Sequence, residues 1–267
     1  MPESAPDKLA LSILIRTFNE EDRIGKAIES ALPLGGEVLV LDAGSTDRTV
    51  EIARALGARV IANKWQGFGQ QRNYGEGQCA HDYIFSLDAD EVVTGTMRDE
   101  IRAAFAREPL PKLFVVRKAM IFPGHERPTP FAFCHEQVLI YDRRVARTIL
   151  NANWDKLEYD PALKPAKISE PLWHFSFRGW DHALGKTLYV ARLFAKTSPI
   201  RSRRKLAVRL VFEFPLTFLK FYFLRRYFFG GHAGFLQAVV TAWGRFIRIL
   251  LMYEAALKAA KKTDVSQ

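Results

Sequence analysis

Residues 82–91 read DYIFSLDADE, an apolar run that ends on two alternating aspartates, Asp88 and Asp90, and then Glu91. The run is too short for a helix, and its apolar residues are continuous rather than alternating. That pattern marks a strand buried on both faces. Upstream the same element recurs in LSILIR (11–16), EVLVLD (37–42) and ARVIAN (58–63). Helical periodicity fills the intervals over 22–31, 46–56 and 69–80, with Ser45 the expected N-cap of the second helix. Gly75 and Gly77 weaken the third. A further helix is expected over 96–107. Strands alternating with helices predict an α/β domain, a parallel sheet covered by helices on both faces.

In such a sheet, ligands bind beyond the carboxyl ends of the strands. The acids collect there. Strand one ends in TFNEED, with Asn19 and Glu20. Strand two ends in LDAGSTD, with Asp42 and, further on, Asp47. Strand four supplies Asp88, Asp90 and Glu91. Asp and Asn are also common turn and cap residues, and Asp47 reads equally well as one of those. Three acidic strand ends together point to a site. GxGxxG, GxxxxGK[ST], HExxH and GxSxG are all absent, which disfavours dinucleotide, P-loop, zincin and serine-hydrolase chemistry. An Asp-x-Asp at a strand end can offer one carboxylate to a ribose and the other to Mg²⁺ or Mn²⁺. Such a cation completes its shell with substrate phosphates and water. That chemistry suits a nucleotide diphosphate, whose leaving charge needs neutralising.

Four blocks in order, IRTFNEED, VLVLDAGSTDRT, KWQGFGQQRNYG and YIFSLDADE, resemble the nucleotide-sugar domain of the family 2 inverting glycosyltransferases. More narrowly they are similar to its lipopolysaccharide-core glucosyltransferase branch. The resemblance covers residues 10–105 and continues more weakly through PLWHFSFRGWDHAL and GGHAGFLQA. It implies a glycosyltransferase-A-like parallel or mixed sheet. By the same resemblance Thr17, Asn19 and Glu20 would line base and ribose, and Asp42 would accept from uracil. Asp88 and Asp90 would be the Asp-x-Asp pair, with Asp90 the metal ligand. Arg72 would approach the diphosphate, supported by Asn73; its other reading is an exposed helix charge. An inverting reaction needs a carboxylate that takes the acceptor's proton. Relatives carry a His-Glu pair shortly before a Leu-x-His segment. Here His135-Glu136 lies far upstream of His174, whereas Asp155, in NWDKL, is nearer. Asp155 is therefore the expected base and Glu136 its rival. His174 is either a metal or diphosphate ligand or a hydrogen-bonded histidine in an aromatic cluster.

Composition bounds the rest. The 267 residues are 48% hydrophobic and 25% charged, which is globular. Two cysteines, Cys79 and Cys134, give neither a disulfide scaffold nor a zinc motif and point to a reducing compartment. MPESAPDKLA has no apolar core of a signal peptide, which disfavours secretion. No run of 18 uncharged apolar residues occurs, which disfavours a membrane-spanning helix. The net charge is +10. It is concentrated between Arg201 and Lys262, where thirteen Lys and Arg face two acids, Glu213 and Glu254. These bases are interleaved with Phe, Leu and Val and carry no recognition motif, which argues against nucleic acid. Lys205, Arg209, Glu213 and Lys220 share one helical face, and Gln237, Arg245 and Arg248 another; Pro215 is expected to kink or end the first helix. Such helices lie in a bilayer interface with bases toward anionic headgroups, or form a hairpin packed on the catalytic domain, and both can hold.

The expected organisation is a catalytic domain over 1–200, with donor binding in 10–105 and acceptor binding in 106–200, and a basic helical extension over 201–267. The expected activity is metal-dependent transfer of a hexose from a nucleotide sugar, a UDP-sugar by the resemblance, to a lipid-linked saccharide such as lipopolysaccharide inner core. The expected location is the cytoplasmic face of the membrane. The alternative acceptor is a polyprenyl phosphate, which is already ionised and needs no base.

Overall fold

The computed structural model describes residues 8–151, 154–199 and 202–265; MPESAPD, Asn153 and Arg201 of the sequence reading lie outside them. The chain forms two compact units. The first comprises the residues up to Ala119 with Cys134–His174. The second comprises Met120–Phe133 and the chain from Phe175 onward. The sequence boundary at residues 200 and 201 falls inside the second unit.

In the first unit the elements run β1 (Leu9–Thr17), α1 (Ile24–Ala31), β2 (Gly35–Asp42), α2 (Thr49–Ala55), β3 (Arg59–Ala62), α3 (Phe68–Gln78), β4 (Tyr83–Asp88), β5 (Glu91–Val92) and α4 (Gly95–Phe105). Then come β6 (Leu113–Met120), β7 (Cys134–Asp142), β8 (Ala146–Thr148), β9 (Leu157–Tyr159) and β10 (Ala166–His174). The main sheet has eight strands in the order β3-β2-β1-β4-β7-β6-β10-β5. The first four are parallel, and β7 joins β4 antiparallel, so the sheet is mixed. Successive side chains of a strand face opposite ways. Ile13, Ile15, Phe85 and Leu87 therefore pack with Ile24 and Ile28 of α1 and Met97 and Ile101 of α4. Leu14, Leu39, Leu41 and Ile84 form a separate cluster on the other face. Helix α3 closes on that second face through Gly75, where a Cβ would stand 2.8 Å from a Leu14 methyl.

Two local expectations change. Helix α2 begins at Thr49, not 46, and Asp47, not Ser45, accepts the Thr49 amide at 3.0 Å. The stretch before it is held by Asp42 and Asn19 in a loop, because side-chain acceptors there compete with helical backbone bonding.

The second unit contains α5 (Trp180–Thr197), α6 (Arg203–Leu219), a π-helical turn over Lys220–Leu224, a 3₁₀ turn over Tyr227–Gly230, and α7 (Gly231–Val265). Helix α6 runs through Pro215 instead of ending there. The ionic face expected to meet headgroups turns partly inward. Glu213 is 8% exposed and is held by Arg209 of its own helix at 2.6 Å and Arg245 of α7 at 2.9 Å. Gln237 is likewise buried. The outward stripe is apolar instead: Val208, Phe212, Leu216, Leu219 and Phe223 are all exposed. A buried carboxylate needs partners, and two helices can supply them only from the faces they share. Tyr227–Ala259 is also long and apolar enough to cross a membrane by length and composition, with a mean hydropathy of 1.4 and 39% of the window buried. The segment does not stand out as an uncharged apolar run because Arg245 and Arg248 interrupt it.

Candidate active site

Parallel register brings the strand ends together. Arg16 of β1 stands beside Asp88 of β4, and Thr17 beside Asp42 of β2. Arg16 is the hub. Its guanidinium lies 2.6 Å from Asp88 Oδ1 and 2.8 Å from Asp155 Oδ2. Lys118 of β6 lies 2.5 Å from Glu91 and 4.0 Å from Asp88. Asp90 Oδ2 is 3.5 Å from His174 Nε2 and 3.7 Å from Arg23, which also holds Glu20 at 2.5 Å. Carboxylates and cations thus alternate across the ends of β1, β4, β5, β6 and β10.

Burial would push Asp88 and Asp155 toward the neutral acid. For Asp88 the nearby Arg16 and Lys118 outweigh it and hold the carboxyl well below the usual range. For Asp155, Arg16 and Arg72 outweigh burial and lower the carboxyl. Glu91 goes the other way. Its burial raises the pKa in spite of Lys118, and Asp88 adds to the rise. Burial disfavours the charged form of His174, but its hydrogen bond to Asp90 and that carboxylate's charge win and raise the imidazole.

The expected site residues have separate fates. Thr17 is buried at the end of β1, and its Oγ1 has no hydrogen-bond partner, an orphan beside the acidic cluster. Asn19 adopts a left-handed φ of 53°, and its side chain accepts the Thr46 amide at 2.8 Å, tying the loop after β1 to the loop after β2. Asp42 is buried and accepts from the Gly44 and Ser45 amides at 3.0 Å and the Ser45 hydroxyl at 2.5 Å, so it organises its own loop. Arg72 is 1% exposed. Its nearest carboxylates are Asp155 at 3.5 Å and Glu76 at 3.8 Å, and it sits over the Tyr141 ring. The reading of Arg72 as an exposed helix charge is therefore wrong; it is an enclosed cation behind Asp155. Asn73 donates to Thr148 O. Glu91, expected open at the strand end, is fully buried and accepts the Asp88 amide at 2.9 Å.

Of the two candidate bases, only Asp155 is gathered into the cluster. Glu136 is exposed and pairs with Lys167 at 2.9 Å. It lies opposite Arg117 in the β6–β7 register, whereas Lys118 lies opposite His135. Alternation therefore points Glu136 away from the face that Lys118 shares with Asp88.

Arg16, Arg23 and Lys118 were not among the expected residues. A signal existed for two of them. Arg16 and Lys118 are cations within mostly apolar strands, and a buried charge persists only where it is paired. Among the described residues no group of three or more His, Cys, Asp or Glu could hold a metal. The converging pair is Asp90 Oδ2 with His174 Nε2. One hard oxygen and one imidazole nitrogen suit Mn²⁺ or Mg²⁺ only if phosphates and water supply the remaining ligands.

Comparison with known proteins gives three findings. The sequence profile of the glycosyl transferase family 2 matches residues 12–124. An uncharacterized glycosyltransferase of Rickettsia typhi is 30% identical over 93% of this chain and 88% of its own, and the lipopolysaccharide core biosynthesis glycosyltransferase LpsC of Rhizobium meliloti is 27% identical over 96% and 97%. Glucosyl-3-phosphoglycerate synthase of Mycobacterium tuberculosis, solved with Mn²⁺, UDP-glucose and phosphoglyceric acid, is similar over 43% of this chain and 44% of that one, at 25% identity and a TM-score of 0.34.

Proposed function

Because the chain belongs to glycosyltransferase family 2, we propose that it transfers a hexose, with inversion, from a UDP-sugar to a lipid-linked saccharide of the lipopolysaccharide core type. The observation that carries this reading is Arg16 held between Asp88 and Asp155 at one strand-end cluster. The acceptor follows the near full-length likeness to LpsC.

The donor's nucleoside would lie along the ends of β1 and β2, where the orphaned Thr17 hydroxyl gains a partner. Asp90 and His174 would hold the divalent cation, which when bound would supply positive charge against the departing diphosphate. Arg16 is shared between two carboxylates, and a diphosphate is a third competitor for it. Its shift toward phosphate takes a cation away from Asp155 and raises that carboxylate's basicity. Asp155 then accepts the proton of the acceptor hydroxyl. The freed oxygen bonds to the anomeric carbon from the face opposite the diphosphate, and the bond from that carbon to the diphosphate oxygen breaks. Lys118, close to Glu91 and 4.0 Å from Asp88, adds to Arg16 in keeping Asp88 ionised.

The second unit supports a membrane location. An outward apolar stripe on α6 with exposed Arg203, Arg204 and Lys205 beside it suits a bilayer surface bearing anionic headgroups. With a cytoplasmic nucleotide sugar as donor, the reading puts the protein at the cytoplasmic leaflet, where donor and lipid-linked acceptor meet. The test is a panel of nucleotide sugars, with UDP release read with and without lipopolysaccharide-core acceptors in Mn²⁺. The reading expects acceptor-dependent release with one UDP-hexose; release from none of them overturns it.

A further inference from the structure

A cavity of about 370 Å³ lies wholly inside the second unit, between α5 and α7. That volume falls within the range of small-ligand pockets, about 300–1,000 Å³. The two helices meet at Gly244, where a Cβ would stand 2.1 Å from a Thr187 methyl, so their close crossing pins one side. Val190 and Phe194 of α5 give apolar wall, and Lys186, Arg245 and Arg248 bring three cations to the same lining. Phe177 lies under the Lys186 ammonium at 5.7 Å, and Phe194 under the Arg248 guanidinium at 5.7 Å. Arg245 also pairs with Glu213, whose single charge it shares with Arg209, so that trio keeps a net positive charge. Gln237 lines the cavity, is 3% exposed, and its Oε1 has no hydrogen-bond partner. A helical hairpin that only packed would have filled this space and satisfied that amide.

We propose that this cavity is a binding site for an anionic amphiphile, taking up a single acyl chain along Val190 and Phe194 while a phosphate headgroup meets Arg245, Arg248 and Lys186. Apolar wall alone would accept any alkyl chain, and cations alone any anion. Their presence on one lining selects a molecule with both. The ligand class is a membrane lipid carrying a phosphate; free phosphate shares only half of that chemistry. The site is separate from the sugar-transfer cluster and from the exposed stripe of α6, and it depends on neither reading.

Dodecyl phosphate below its critical micelle concentration is the probe, titrated by calorimetry into the full chain. Saturable 1:1 binding is expected. Dodecyl maltoside, neutral at the head, should bind at least tenfold more weakly, and inorganic phosphate should neither bind nor compete at equal concentration. Val190→Trp fills the cavity from a partly exposed wall and should abolish binding. Arg245→Gln with Arg248→Gln should weaken it at least tenfold while leaving the maltoside unchanged. Circular dichroism melts confirm that each variant is folded, and a variant that melts early is replaced by Phe194→Trp or Lys186→Gln. Equal binding of the maltoside, competition by inorganic phosphate, or undiminished binding by folded Val190→Trp overturns the proposal. Flotation on vesicles reads the surface of α6 separately, so loss of one result does not imply loss of the other.

Discussion

At the scale of single residues, Arg16 sets the behaviour of the acids around it. Its guanidinium is the leading influence that offsets burial and keeps Asp155 below the usual carboxylate range. In the unliganded wild type the deprotonated base should persist to low pH, so the acid limb of kcat/KM, which reports the free enzyme, should lie below about pH 4, the ordinary Asp value. Arg16→Gln removes that influence. Asp155 then rises, and the acid limb of the pH–rate profile should move to higher pH; an unmoved limb would mean another group is the base. Asp155→Asn should cut kcat by about 10²-fold or more with UDP affinity nearly intact, and Glu136→Gln should leave kcat within about twofold, because Glu136 pairs with Lys167 on the other face. Asp90→Ala tests the cation. UDP should raise the wild-type melting temperature more with Mn²⁺ than with EDTA, and the variant should lose that difference together with activity. Full turnover in EDTA would sink the metal role. Asp88 and Asp90 could be picked out from the sequence because acids at strand ends are conspicuous, whereas Asp155 was reached through the family resemblance and its nearness to His174. Arg72 was picked out too, but its burial was not, since one residue's type says nothing about what folds over it.

At the scale of elements, α3 offers a paired test. Gly75 and Gly77 are equally unfavourable to an isolated helix, yet the tertiary structure separates them. A Cβ on Gly75 would stand 2.8 Å from Leu14 and 3.1 Å from Leu41, whereas a Cβ on Gly77 would meet nothing within 4 Å. Gly75→Ala should lower stability by about 1–3 kcal/mol through overpacking. Gly77→Ala should raise it by about 0.4–1 kcal/mol by restricting the unfolded chain. Urea midpoints decide, and a shift of the same sign in both variants would refute the packing account. Helix α2 makes the complementary point. Its sequence reads as a helix from 46, but Asn19 reaches across to the Thr46 amide and Asp47 takes the Thr49 amide, so the helix starts late. The competing acceptor on Asn19 comes from 27 residues away, which local pattern reading does not register.

At the scale of the whole molecule, the second unit presents apolar surface outward and ion pairs inward. Each exposed base near an anionic bilayer contributes about 1 kcal/mol, and the apolar stripe adds burial in the interface. Flotation with vesicles should require anionic lipid and weaken with salt. Reversal of Arg203, Arg204 and Lys205 to Glu should abolish it, and Val211→Glu with Phe212→Glu should do so as well, because both side chains are exposed on α6. Indifference of the wild type to anionic vesicles at low salt would make these helices packing elements only. The sequence by itself determined the α/β order, the acidic strand ends and the basic, aromatic character of the C-terminal third. Those features are written in local runs of residue type, and short-range periodicity reads them directly. Only the tertiary structure decided that Arg16 and Lys118 join Asp88, that Asp155 and not Glu136 is gathered to them, and that Glu213 of α6 turns inward to Arg245 of α7. Each of these depends on strand register or on which helix face is covered, and register and coverage are settled by contacts between residues far apart in the chain.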